Sequence, residues 1–303
     1  MKFGDRDAVQ IENERVRVTV LKEGGHVAEL LEKRSGINPL WVPPWKSIEP
    51  STYDAARHAE YGGNSESKLL AGIMGHNLCL DMFGPPSKEE AEAGLSVHGE
   101  GSVVPYELAA GDGEIHASAY LPLAGLQFER AIRLEGHTIH FAETVENLSA
   151  LDRPIAWTQH VTLGPPFIEN GVARAAYSEA DAEPVMFSDE ASSGGFTTHL
   201  MDKSVEQAYF TAWNPVLNVF LSYHWRREDF PWLGIWEENR SRKDPPWDGR
   251  TLTWGMEFGV SPYPETRREM IERGRTLGVP GFRWLAARER VTVKYSAQVS
   301  AEG

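Results

Sequence analysis

The sequence predicts an all-β protein built as a large antiparallel β-sandwich. Short runs of alternating apolar and polar residues dominate the chain, and a period of two is typical of a strand with one buried face. Glycine, proline and small polar residues separate these runs, with few long helical patterns between them, which favours antiparallel pairing over parallel βαβ units. We expect strands in residues 16–21, 26–32, 115–121, 126–134, 138–147, 155–163, 216–225, 232–238, 252–260 and 290–299.

The connections between these runs predict local pairing and only short helices. Gly24-Gly25 predicts a hairpin between the first two runs, and Gly125 and Glu135-Gly136 predict a meander through residues 115–147. Residues 87–93 and 265–275 carry helical patterns, the second ended by Gly278 and Pro280. Two long stretches, residues 40–78 and 226–250, are rich in proline and tryptophan and are expected to be irregular and functional.

Length and composition place the chain among globular proteins. Its 303 residues are expected to form one domain spanning residues 1–303, since large sandwiches run to about 250 residues as one unit. The formal net charge of −14 argues against nucleic acid and against an anionic membrane as partners. The N-terminus lacks the apolar core of a secretory signal, and the single cysteine, Cys79, excludes an internal disulfide, so we expect a cytoplasmic protein.

The ten tryptophans exceed what a core usually needs. Most of them are expected in the core and at its edges, while others could form flat aromatic platforms for a ligand such as a sugar ring. The nucleotide-binding glycine motifs, the CxxC pair and the GxSxG elbow are absent from the sequence.

Three segments carry polar residues in positions suited to chemistry. His98 lies in a Gly-rich segment that allows close approach to a ligand, although a chance turn histidine fits the same pattern. His160 shares a strand face with Thr158 and is suited to general acid catalysis, or else is a hydrogen-bonded core histidine. Glu257 lies among apolar strand residues, where desolvation would raise its pKa, unless it simply faces solvent. Small neighbours, Gly255 and Gly259, would leave room above it.

Taken together, His98-Gly99, His160 and Glu257 resemble the galactose mutarotase (aldose 1-epimerase) superfamily, whose motifs follow this chain order. The resemblance spans nearly the whole chain and implies a galactose mutarotase-like sandwich with a sugar cleft across one sheet. It implies Glu257 as the general base on the anomeric hydroxyl and His160 as the general acid on the ring oxygen. His98 would bind a sugar hydroxyl or the ring oxygen, and the reaction would need no metal or organic cofactor.

The surroundings of this triplet depart from the family pattern. In place of an early Asn-Arg pair the chain has His76-Asn77, and Gln159 rather than asparagine precedes His160. No clear counterpart of the sugar-binding aspartate exists, and the nearest candidates are Trp236 and Glu238, which share a strand face. We therefore expect His76, Asn77, Trp236 and Glu238 as further substrate contacts, in an outlying member of the superfamily.

These features leave three functions open for a small-molecule carbohydrate ligand. The first is an epimerase that interconverts sugar anomers, and the second is a carbohydrate-binding protein without catalysis. The third is a lyase or hydrolase, in which Glu237 or Glu238 would supply a second carboxylate beside Glu257. Arg240, Arg242 and Lys243 form a basic cluster that a phosphosugar would require, although a solvated loop is the commoner explanation. The sequence is compatible with a monomer or a homodimer.

Overall fold

The computed structural model describes residues 1–301, and strands make up most of its regular structure. The strands are β1 (Lys2–Phe3), β2 (Arg6–Glu12), β3 (Val16–Leu21), β4 (Val27–Glu32), β5 (His76–Asp81), β6 (Glu107–Gly111), β7 (Glu114–Leu121), β8 (Leu126–Glu135), β9 (Thr138–Asn147), β10 (Arg153–Leu163), β11 (Arg174–Tyr177), β12 (Val185–Met186), β13 (Ser193–Leu200), β14 (Gln207–Asn214), β15 (Val219–Arg226), β16 (Trp232–Asn239), β17 (Leu252–Gly259), β18 (Arg275–Thr276), β19 (Val279–Pro280), β20 (Arg283–Leu285) and β21 (Arg290–Ala301). The helices are α1 (Ser67–Gly72), α2 (Lys88–Glu92) and α3 (Arg267–Arg273), and two short 3-10 turns, Pro50–Thr52 and Ala59–Tyr61, precede α1.

Two large antiparallel sheets form a sandwich, which confirms the predicted fold class. The first sheet has ten strands in the order β1-β2-β3-β4-β5-β10-β17-β16-β13, with β20 paired to β10. The second has nine strands in the order β12-β11-β14-β15-β21-β9-β8-β7-β6, which contains the predicted meander as β7-β8-β9. Aromatic side chains of the two sheets meet in one core, where Phe258 of the first sheet stacks on Trp225 of the second at 4.3 Å.

Burial along the strands shows which sheet carries a covered outer face. Strand β9 alternates between buried and half-buried residues because only one of its faces meets the core. In β10 every residue from Ile155 to Leu163 is buried, and so are all but the first residue of β17. These two central strands are therefore covered on both faces, by the core on one side and by loops on the other.

The covering layer comes from the stretches that the sequence marks as irregular. Residues 40–75 contain α1, and Trp41 and Trp45 of this stretch pack on Trp247 from the loop after β16. Helices α2 and α3 begin with capping boxes at Ser87 and Thr266, close to the predicted starts. None of the helices within residues 1–301 is long and apolar enough to cross a membrane.

Candidate active site

A row of residues crosses four neighbouring strands on the loop-covered face of the first sheet. Asn77 of β5 pairs with His160 of β10, which pairs with Glu257 of β17, which in turn pairs with Gly234 of β16. Directly paired residues of antiparallel strands point to the same face of the sheet. The register therefore brings His160 and Glu257 together, although 96 residues of chain separate them.

His160 and Glu257 form a direct buried pair. The Nε2 atom of His160 lies 3.1 Å from Oε1 of Glu257, and the two side chains are 6% and 3% exposed. The Nδ1 atom of His160 lies 2.9 Å from the Thr162 hydroxyl, which fixes the orientation of the ring. Burial raises the pKa of Glu257 to about 8 and lowers the pKa of His160 well below its usual value. Both shifts favour an uncharged pair that holds a single proton between nitrogen and oxygen.

His98 joins this pair from a loop rather than from a strand. Its ring centre lies 5.2 Å from that of His160. His98 has a positive φ of 67°, and Gly99 after it approaches β5 so closely that a Cβ atom would lie 2.3 Å from the Leu80 carbonyl oxygen. The Nδ1–H group donates to the Phe83 carbonyl at 2.8 Å. Burial lowers the pKa of His98, so the neutral ring presents Nε2 as a hydrogen-bond acceptor.

A cavity of about 500 Å³ opens above the three side chains. This volume lies within the range that small-ligand sites occupy. Its walls come from α1, the loop before His98, strands β13 and β16, and the loop after β16. The lining residues are Glu66, Leu69, Leu70, Ile73, Gly84, Pro85, Val97, His98, His160, Gly194, Gly195, Phe196, Trp236, Glu237, Glu238, Ser241, Arg242, Trp247, Glu257 and Pro264.

Glycines leave the space around the carboxyl group of Glu257. A Cβ atom on Gly255 would lie 2.6 Å from Oε1 of Glu257, and one on Gly234 would lie 2.6 Å from the ring of Phe196. Larger residues at either position would displace the groups that shape the cavity floor.

Trp236 and Glu238 both line the cavity, but they differ in how free they are to bind a ligand. Trp236 is half-buried, and its ring lies 6.0 Å from that of His160. Glu238 is buried, and its carboxylate accepts hydrogen bonds from the backbone and hydroxyl of Ser241 and from the backbone of Arg242. Glu238 therefore anchors the loop that follows β16.

His76 lies on the opposite face of the sheet, so the expected substrate contact through this side chain is wrong. It is fully buried in the core, where Nε2 donates to Oε1 of Gln159 at 2.9 Å and Nδ1 accepts from the Tyr223 hydroxyl at 3.1 Å. Residues 76–81 carry no clear strand signal in the sequence, so alternation does not separate the face of His76 from that of Asn77.

Asn77 faces the same side as His160 but lies below the cavity floor, outside its lining residues. Its side chain is fully buried, and neither amide atom has a hydrogen-bond partner among the described residues. The expected contact between Asn77 and substrate stays a prediction, and the structure places this amide beside His160 rather than in the open cavity.

Several residues that line the cavity are not singled out by the sequence analysis. Phe196 lies on β13, whose Gly-Gly-Phe sequence gives no clear strand signal. Leu70 and Ile73 lie in and after α1, and Trp247 lies beyond the predicted strand 232–238. For Leu70, Ile73 and Trp247 the only signal is the composition of the two tryptophan-rich stretches, and Phe196 lies outside both.

Arg242 contributes the guanidinium group in the cavity wall. It donates to both carboxylate oxygens of Glu66, at 3.0 and 3.1 Å, and lies over the ring of Trp247 at 4.6 Å. The other two basic residues of the predicted cluster bond to neighbouring groups: Lys243 donates to the carbonyl oxygen of Arg240 and the hydroxyl of Ser192, and Arg240 donates to the side chain of Asn239. Within residues 1–301, no three His, Cys, Asp or Glu side chains are grouped so as to hold a metal ion.

Comparison with solved structures identifies relatives in fold. A protein from Klebsiella pneumoniae, provisionally assigned as an aldose 1-epimerase, matches all of this chain and 82% of its own, with a TM-score of 0.74 and 14% identity. A galactose mutarotase-like protein from Clostridium acetobutylicum matches 100% of this chain and 97% of its own at TM-score 0.65 and 14% identity. A galactose mutarotase related enzyme from Lactobacillus acidophilus matches 97% of both chains at TM-score 0.64 and 12% identity.

Comparison with protein-family models and with curated proteins found no match. At 12–14% identity, the structural similarities concern the fold alone. They cover 97–100% of this chain, which agrees with a resemblance that runs from the first hairpin to the last strands. The chain therefore has the galactose mutarotase-like fold that its three motifs predicted.

Proposed function

We propose that the protein is an aldose 1-epimerase-like isomerase that interconverts sugar anomers by general acid and base catalysis. The observation that carries this proposal is the buried His160–Glu257 pair on the floor of the cavity, with a 3.1 Å contact between nitrogen and oxygen. Ring opening of a cyclic sugar requires removal of the anomeric hydroxyl proton and protonation of the ring oxygen. A carboxylate and an imidazolium side by side supply both functions.

The number of protons that the His160–Glu257 pair holds fits this reaction. The resting pair holds one proton, and moving it from Glu257 to His160 creates a carboxylate base and an imidazolium acid without exchange with solvent. Glu257 then takes the anomeric proton while His160 protonates the ring oxygen. The ring opens, the aldehyde rotates, and reversal of the two transfers closes the ring as the other anomer.

His98 is proposed to orient the sugar. Because its Nδ1–H donates to the Phe83 carbonyl, neutral His98 has an acceptor and no donor at Nε2. The ring oxygen of a sugar is also only an acceptor, so the two cannot bond to each other. Of the two roles implied by the family resemblance, binding of a sugar hydroxyl is therefore the one that the hydrogen bonding supports.

The other two candidate functions, a lyase or hydrolase and a carbohydrate-binding protein without catalysis, receive less support from the cavity. Hydrolysis of a glycoside needs a second carboxylic acid across the scissile bond. The carboxylate of Glu238 is held by Ser241 and Arg242, and that of Glu237 accepts from Ser193 at 2.7 Å. A binding protein without catalysis has no need of an acid and a base in direct contact.

The proposal is tested by exchange NMR between sugar anomers on a panel of aldoses. We expect the wild-type protein to accelerate exchange of at least one aldose and Glu257→Gln to lose about 10² to 10⁴-fold of that rate, the usual contribution of a general base. Glu107→Gln, on the exposed edge strand β6, is the matched control and should retain full activity. Correctly folded protein that accelerates no aldose would refute the proposal. Calorimetric sugar binding that survives Glu257→Gln, again without turnover, would establish the binding function instead.

A further inference from the structure

We infer that the preferred substrate is an aldose with an apolar group remote from its anomeric carbon, such as a 6-deoxyhexose. This inference rests on the proposed function and concerns what the rest of the same cavity binds. The polar groups that could act on a sugar are concentrated at the floor, in His98, His160 and Glu257. The remaining walls are apolar, or carry charged groups that already bond to other groups of the protein.

The carboxylates in the walls are committed to protein partners. Glu66 pairs with Arg242, and Glu238 accepts from the backbone of Ser241 at 2.6 Å. Glu237 accepts hydrogen bonds from the hydroxyl of Ser193 and the backbone of Ser188. These bonds hold the walls in place, so a ligand would have to compete with them for the same oxygen atoms.

The same carboxylates disfavour an anionic sugar. Three glutamates other than Glu257 line the cavity together with one arginine, and the arginine is already paired with one of these glutamates. A phosphosugar or a uronic acid would bring negative charge into this acidic cavity without finding a cluster of free basic groups. The inferred substrate is therefore uncharged.

An apolar surface lines the same cavity as the polar floor. Leu69, Leu70, Ile73, Val97 and Trp247 line the cavity and belong to one hydrophobic cluster, against which Trp236 packs. This cluster continues behind the wall into Trp41, whose ring stacks on Trp247 at 5.9 Å, and Trp45, which contacts both rings. The wall is thus backed by close-packed aromatic rings.

A sugar with its anomeric carbon at the floor would direct other parts of its ring toward this wall. A hydroxymethyl group placed there would lose water without gaining a hydrogen bond, whereas a methyl group would gain apolar contact. Apolar pockets reject an added hydroxyl group only modestly, by factors up to about 100. We therefore expect a preference of about 10 to 100-fold in kcat/KM for the deoxy sugar.

The experiment compares sugars that differ only at carbon 6. The pairs are D-fucose with D-galactose, D-quinovose with D-glucose, and L-rhamnose with L-mannose, measured by exchange NMR on the wild-type protein. We expect the 6-deoxy member to have the higher kcat/KM in each pair that is turned over. Equal values, or a preference for the parent hexose, would overturn this inference while leaving the epimerase proposal intact. Failure of all six sugars would count against the epimerase proposal itself.

A variant of the wall provides an independent measurement. Leu70→Asn places a hydrogen-bonding amide on the apolar surface and should reduce the ratio between deoxy and parent sugar toward one. Leu277→Asn makes the same change at a residue that is 79% exposed and should leave the ratio unaltered. If Leu70→Asn folds, as judged by circular dichroism, and keeps the full wild-type preference, the wall does not select the substrate. If Leu70→Asn does not fold, the comparison of 6-deoxy and parent sugars on the wild-type protein still tests the inferred substrate preference.

Discussion

The carboxyl group of Glu257 and the ring of His160 are each placed where their charged forms are disfavoured. Burial acts in opposite directions on the two, raising the pKa of the acid to about 8 and lowering the pKa of the base. Because the groups are in contact, the pair titrates as a unit, and its apparent pKa values belong to both. The form with one shared proton is then the dominant form at neutral pH, and it is also the form that can react.

This coupling predicts the pH dependence of the proposed reaction. Above about pH 8 the pair loses its only proton, leaving a base without an acid, so kcat/KM should fall. Below the depressed pKa of His160 a second proton enters and removes the base, so activity should persist well below pH 6.5 before it falls. Exchange NMR across pH 4.5 to 9.5 measures the profile. An activity that keeps rising above pH 8 would contradict the shared-proton arrangement.

At the scale of single elements, a polar network inside the apolar core binds the core-facing side chains of β10. On its core face, Trp157 and Gln159 donate to the Glu143 carboxylate of β9, at 3.1 and 2.6 Å. Tyr295 donates to the same carboxylate at 2.7 Å, and Arg130 of β8 neutralises it at 2.7 Å. The strand that carries His160 on one face is thus tied to the opposite sheet through its other face.

Removing one charge of this network should cost more than removing both. Glu143→Leu would leave Arg130 buried without its counter-ion, and breaking such a pair typically costs about 3–5 kcal/mol. The double change Arg130→Met with Glu143→Leu should recover much of that loss, since apolar replacements of buried pairs are often neutral. Urea denaturation of the four proteins in the cycle gives the coupling energy. A double variant as unstable as the sum of the singles would show that the two charges act independently.

Individual strands also show where sequence reasoning succeeded. Alternation fixed the bounds of β3 and β9, because these runs keep a period of two. The opposite faces of His160 and Gln159 follow from strand geometry once residues 155–163 are predicted to be a strand. Alternation failed for β5, whose sequence His-Asn-Leu-Cys-Leu-Asp has only three consecutive apolar residues between polar ones, too few to indicate a strand. Because β5 is not among the predicted strands, the sheet face on which His76 lies cannot be assigned from the sequence.

For the whole molecule, the all-β sandwich and the order of the three site motifs were predictable because both depend on local patterns. The cavity was not predictable, because its walls come from segments that only the long-range packing brings together. Leu70, Phe196 and Trp247 lie in three separate parts of the chain, and none has a sequence pattern that indicates a common wall. Their juxtaposition follows from the strand order β10-β17-β16-β13 and from the tryptophan contacts between the loops.

The buried histidines predict how the stability of the whole molecule depends on pH. In His26, Nδ1 accepts from the backbone of Met74 and Nε2 donates to the Ser102 carbonyl, so neither nitrogen is free for another proton. His76 is likewise bonded at both nitrogens, and burial lowers the pKa of each histidine to about 3. At pH 6.5 the two histidines of the unfolded chain therefore bind about one proton that the native protein does not, and at pH 4.5 they bind nearly two. In the site pair, the proton that Glu257 holds in the native state is offset by the proton that His160 takes up on unfolding, because burial raises the pKa of Glu257 and lowers that of His160.

Below about pH 6 the balance is at least one net proton in favour of the unfolded state, so the free energy of unfolding should fall by at least about 1.4 kcal/mol for each further pH unit of acidification. Urea denaturation at pH 6.5, 5.5 and 4.5 measures the slope. His76→Gln removes one of the titrating groups and should flatten it, whereas His116→Gln, at a side chain that is 65% exposed, should not. Stability that is constant or rises on acidification would mean that the native protein takes up protons at these histidines, which their hydrogen bonds oppose.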